Sequence, residues 1–62
     1  MIRILKTAGG ETYTVNGERH IPDGWRVKEI KDDGDMYRIF GQNGLRAEVR
    51  KSYVSLVIYG DK

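Results

Sequence analysis

The sequence predicts an all-β fold, with five to six short antiparallel strands wound into a small barrel. Three observations carry the prediction. Apolar and polar residues alternate with a period of two in short runs, as they do along half-buried strands. Turns rich in glycine separate these runs. No segment keeps a convincing helical period over about ten residues. The stretch Val27 to Val57 is the centre of the pattern and reads as a meander of antiparallel strands.

In chain order, Ile2 and Ile4 alternate with Arg3, whereas Leu5 breaks the alternation and implies a bend or a strand covered on both faces. Ala8-Gly9-Gly10 is a turn signal. Glu11-Thr12-Tyr13-Thr14-Val15 is β-branched and aromatic, with Tyr13 and Val15 on one face. The two segments read as a hairpin with a loop of three or four residues. Asn16-Gly17 is a second turn, and Ile21-Pro22-Asp23-Gly24 an irregular connector, because proline has no N–H for a ladder. Trp25 and Val27 share a face in the next strand, but Ile30 is out of phase with them. A bulge near Lys28 or Glu29 returns it to the core.

Asp32 to Asp35 form an acidic turn, after which Met36, Arg38 and Phe40 oppose Tyr37 and Ile39. In Gly41-Gln42-Asn43-Gly44 the Asn-Gly step predicts a type I′ hairpin turn. Leu45, Ala47 and Val49 then oppose Arg46, Glu48 and Arg50. In the last strand Val54, Leu56 and Ile58 oppose Ser55, Val57 and Tyr59, and Gly60 to Lys62 read as a frayed tail. Phe40 and Trp25 are expected in the core, with Trp25 at its edge or as its one large anchor. The four tyrosines exceed what so small a core can hide.

Composition narrows the functional classes. Sixty-two residues make one domain. With no cysteine there is neither a disulfide nor a thiolate metal site, and one histidine falls short of a zinc ligand set. The opening Met-Ile-Arg-Ile-Leu-Lys is too short an apolar stretch for a signal peptide or a membrane span. The expectation is a cytoplasmic protein without metal or cofactor. Eleven basic and nine acidic side chains leave a net charge of +2, a mixed surface rather than a polycation.

The meander resembles the second half of a Src-homology-3 domain. Gly34-Asp35-Met36-Tyr37 stands where that family has a Gly-Asp turn before two aromatics, and Ser52-Tyr53-Val54 is similar to its end motif. Gly17-Glu18-Arg19 matches the step before its second strand. The resemblance covers about half of the chain. It implies the barrel, with a short helical turn before the last strand. It does not imply the proline-rich-peptide groove. Met36 replaces the first aromatic of the pair, Arg50 replaces the proline before the end motif, and Ile2 to Thr7 lacks the family's early aromatic segment. Only Tyr53 keeps a groove position. A fainter resemblance, to small archaeal chromatin proteins, lies in a basic opening hairpin followed by Trp25-Arg26-Val27; those proteins are far more basic.

No catalytic set assembles. His20 lacks an orienting carboxylate and a nucleophile, and reads as a surface histidine. The aspartates around Gly34 lack the closing glutamate of a calcium loop, and the Asn-Gly turn lacks the lysine of a phosphate loop. What remains is binding. Exposed tyrosine beside arginine is the composition of interface hot spots. The first expectation is therefore a non-enzymatic protein-interaction module, a small regulator or inhibitor of phage or mobile-element type, with Tyr37, Tyr53, Arg50 and Trp25 at its surface. The alternative is a nucleic-acid-binding barrel using Arg26, Lys28, Arg38 and Arg46 against phosphates. Against that stands a solvated face with cross-strand ion pairs through Glu29 and Glu48. An uncapped edge strand, Ile2 to Lys6 or Val54 to Tyr59, offers pairing with a partner or a second copy.

Overall fold

Two three-stranded antiparallel sheets make up the protein in the computed structural model, which describes residues 1–17 and 26–60. His20, Trp25, the proline connector and the last two residues lie outside the described residues. The strands are β1 (Ile2–Thr7), β2 (Thr12–Thr14), β3 (Val27–Asp33), β4 (Met36–Gly41), β5 (Gly44–Arg50) and β6 (Val54–Tyr59). A 3-10 turn, Lys51–Tyr53, joins β5 to β6. One sheet has the order β2-β1-β6 and the other β3-β4-β5. Among the described residues no ladder closes the two into a barrel. They are linked by a bridge between Val15 and Val27, where the Asn16 N–H donates to the Val27 carbonyl (3.0 Å).

One core serves both sheets. Ile2 and Leu5 from the first meet Val27, Ile30, Tyr37, Ile39 and Val49 from the second, with Val15 between them. Leu5 and Ile39, in the two central strands, are fully buried. Tyr13, Ala47, Val54 and Val57 pack around this cluster.

Four register shifts explain which residues reach the core. Val27 pairs with Gly41 and Glu29 with Phe40, so Lys28 is an extra residue, and Val27 and Ile30 both face inward as the sequence predicts. A shift between Ile2 and Ile4 does the same for Ile2 and Leu5. In β6, a shift at Ser55 turns both Val54 and Val57 inward. The fourth overturns an expectation. Ile39 pairs with Ala47 but Phe40 with Leu45, so Arg46 is the extra residue, and Leu45 is thrown to the outer face, 49% exposed. Phe40, expected in the core, stands opposite Leu45 on that outer face, half-buried beneath Lys31 at 5.5 Å.

The turns follow their glycines. Gly34, at φ 64°, takes the first central position after Asp33, the type II′ pattern. The second hairpin differs from the expected I′ turn. Gly41 pairs with Gly44, so Gln42 and Asn43 are the central residues, and neither has a positive φ. Gly44 takes φ 112° instead, the arrangement of a type I turn followed by a glycine bulge. The Ala8–Glu11 loop has the predicted length. Of the two expected edge strands, β1 is central and only β6 lies at an edge.

Candidate functional site

The 3-10 turn is the pivot of the site. The Lys51 N–H donates to the Asp35 carbonyl (2.9 Å), tying the turn to the β3–β4 hairpin. At its other end the Ala8 N–H donates to the Tyr53 carbonyl (2.7 Å), tying it to the β1–β2 loop. That loop is held by Thr7. Its buried hydroxyl donates to the Glu11 carboxylate, and the Glu11 N–H donates back to Thr7 Oγ1 (3.1 Å). Tyr53 is thereby presented at the surface, 47% exposed, with its hydroxyl above Gly9, where any Cβ would collide with it.

Between the turn, the loop and β5 lies an open groove of about 450 Å³. Tyr13, Ala47 and Val49 supply apolar lining, and Glu11, Glu48, Arg50 and Tyr53 supply polar and aromatic groups. A second depression of about 430 Å³, beside Asp35 and Met36, shares Arg50 and Ser52 with the first. Two of the predicted surface residues, Tyr53 and Arg50, are thus brought together.

Tyr37 is not with them. Its ring is 8% exposed and belongs to the core, because β4 is a central strand and Tyr37 shares the inward face with Ile39. Lys51 covers it, with Nζ 5.2 Å from the ring centroid, and ion-pairs with Asp32. Burial pushes the Tyr37 phenol above its ordinary value. Tyr59 adds to the rise, and the nearby Lys51 charge opposes it. The hydrogen bond to Asp32 holds the Lys51 ammonium above its ordinary value. Both groups are more firmly protonated in the fold than in the open chain. Their contribution to stability is complete below their ordinary values of 10.0 and 10.5 and is lost as pH rises through the raised folded values. Urea unfolding should therefore show stability falling as pH rises past the ordinary values of the two groups, with a shallower fall in Tyr37→Phe. A flat profile in the native protein would contradict this assignment.

The predicted basic quartet is divided. Arg38 lies mid-sheet between two carboxylates, Nε 2.7 Å from Asp33 and Nη1 2.5 Å from Glu48. That is the cross-strand pairing through Glu48 that the sequence offered as the solvated-face reading. Glu29 instead pairs in register with Phe40. Arg26, Lys28 and Arg46 gather at the other end of the sheet, around Gly41, with the Arg46 stem against that glycine. Among the described residues no three histidine, aspartate or glutamate side chains converge to hold a metal, and no helix is long and apolar enough to cross a membrane.

Reading the sequence missed Thr7, Glu11 and Tyr13 as neighbours of Tyr53. They are about forty positions away along the chain, and only the pairing of β1 with β6 brings them close. The exposed Leu56 and Ile58 were missed too, since both alternate like core residues.

Fold and groove together define a small all-β protein of two three-stranded antiparallel sheets with a mixed apolar and charged surface groove. Compared with protein-family models, curated proteins and solved structures, the chain matches none.

Proposed function

We propose that the protein is a non-enzymatic interaction module that binds a protein partner through the groove between the 3-10 turn and β5. One observation carries the reading: Tyr53 and Arg50 flank the groove over an apolar floor, the combination that anchors protein interfaces. A groove with Glu11 and Glu48 on its lining beside Arg50 suits a segment with charges of both signs around an apolar centre. On this reading the module acts by stoichiometric binding, as a small regulator or inhibitor does. Supporting a Src-homology-3-like reading of the two sheets is the element order: a hairpin, a three-stranded meander, a 3-10 turn, and a last strand paired with the first.

A second reading has its own observation. Arg26, Lys28 and Arg46 lie at one end of the β3-β4-β5 sheet, near Gly41, a placement that suits phosphate contacts. One experiment separates the two. The native protein and Tyr53→Ala are each used to capture partners from the native host, and are titrated in parallel with labelled duplex and single-stranded nucleic acid at low and moderate salt. The module reading expects a captured protein that Tyr53→Ala loses by about tenfold or more, at unchanged melting temperature, with no salt-sensitive nucleic-acid binding. Micromolar nucleic-acid affinity that collapses with salt would replace it by the second reading.

A further inference from the structure

We infer that the outer face of the β2-β1-β6 sheet docks an acidic amphipathic helix of a partner protein. Register places the side chains. Tyr13, Leu5 and Val57 stand opposite one another across the three strands and turn to the core. Their neighbours along each strand therefore point outward. One outward row is Thr14, Ile4 and Ile58, and the next is Thr12, Lys6 and Leu56. Leu56 is 47% exposed and Ile58 43%, beside the half-buried Ile4. Arg3, the extra residue of the bulge between Ile2 and Ile4, is exposed and lays its stem against Gly60, just past the end of β6. The result is an aliphatic patch with a guanidinium at one end and an ammonium at the other.

The charge of this face has one sign. Its three strands contain no aspartate or glutamate, and β6 contains no charged residue at all. Among the described residues neither Arg3 nor Lys6 forms an ion pair. Glu11, in the adjoining loop, is turned away to Thr7 and the groove. The outer face of the other sheet is the contrast. It also shows apolar groups, Phe40 and Leu45, but Glu29 stands beside Phe40, and Arg38 pairs with Asp33 and Glu48. That face carries its own counter-charges, whereas the β2-β1-β6 face leaves them to a partner.

Charge complementarity thus selects a partner with carboxylates around an apolar centre. Shape selects a helix. The outer strands of a three-stranded sheet lie about 10 Å apart, close to the diameter of one α-helix, and a helix laid on an antiparallel sheet is a common layer. No aromatic ring stands in either row to stack a base, and an apolar centre does not track phosphates. Nor does a pair of cations with a few aliphatic side chains equal the acyl chain and basic cluster that hold a protein on a bilayer. The face shares no residue with the Tyr53 groove, so it is a second surface rather than an extension of the first.

NMR titration of the isotope-labelled full chain tests the proposal. The probe is a synthetic helical peptide of about 18 residues, with leucines three and four apart and glutamates beside them. The expected result is saturable shifts of the Ile4, Lys6, Leu56 and Ile58 amides, with a dissociation constant below about 500 μM at low salt. The same peptide with lysine for each glutamate should bind about tenfold more weakly or worse. Lys6→Glu should reverse that preference, which an apolar contact alone would not do. Lys31→Glu, on the outer face of the other sheet, should leave it unchanged. If Lys6→Glu does not fold, Arg3→Glu replaces it. No shift up to about 2 mM peptide, equal affinity for the two peptides, or shifts confined to the Tyr53 groove would each overturn the proposal. So would binding of phosphatidylserine vesicles or a labelled oligonucleotide through these same amides when the acidic peptide leaves them unmoved.

Discussion

Ile39→Ala is expected to remove most of this protein's stability. Ile39 is fully buried in β4, the central strand of its sheet, and is flanked in register by Ile30 and Ala47. Deleting a buried aliphatic side chain to alanine costs about 2–5 kcal/mol, because the transfer energy is lost and the cavity closes only in part. Closure is hard here. Ile39 itself is held by a ladder on both sides, so backbone relaxation would break strand pairing. A domain of this size has about 3–9 kcal/mol in total at the usual stability per residue. The variant should therefore unfold at a much lower urea midpoint with a similar slope. Leu45→Ala, one strand away and on the outer face, should shift the midpoint only slightly. Equal effects at the two positions would mean that the register shift at Arg46 does not exist.

The second large effect is expected at Tyr37. Tyr37→Ala should cost about 3–5 kcal/mol, the range for truncating a buried aromatic ring. The ring fills the inward face between Asp32 and Val49 and is covered by Lys51. Tyr37→Phe keeps that packing and loses only the phenol hydroxyl, so a smaller cost of about 0.5–1.5 kcal/mol is expected. Tyr53→Ala is the counterpart. Its ring is half in solvent, so its loss should leave the melting temperature nearly unchanged while reducing partner capture. The two tyrosines look alike in the sequence, each in a short run beside charged residues. Thermal melts of the three variants decide between them, and a Tyr37→Ala protein as stable as Tyr53→Ala would remove Tyr37 from the core.

Much of the fold was legible because it rests on local rules. Period-two alternation located the strands, and Gly34 and Gly44 marked the two tight turns of the meander. The phase break between Val27 and Ile30 pointed to a bulge near Lys28 or Glu29, since a buried isoleucine out of step has few other remedies, and the pairing with β4 places it at Lys28. Leu45 carried no such warning. Its alternation with Ala47 and Val49 is flawless in sequence, and the bulge at Arg46 reverses it through the pairing with β4. Phe40 was misplaced for the same reason: the inward face of β4 went to Tyr37 and Ile39, and hydrophobicity alone does not choose a face.

The sequence by itself determined the class of structure and the chemistry available: an all-β chain without cysteine, with a nearly balanced charge and more tyrosines than its core could hold. Tertiary structure alone decided which tyrosine is core and which is surface, and that Arg38 is held by carboxylates. It also decided that Tyr53 faces a groove built from the far end of the chain, and that the uncharged strand is an edge. The physical reason is common to all four. Burial, ion pairing and edge position are properties of neighbours across a ladder or between sheets. Strand register, which sets those neighbours, depends on bulges that displace a side chain by one face without leaving a mark in composition.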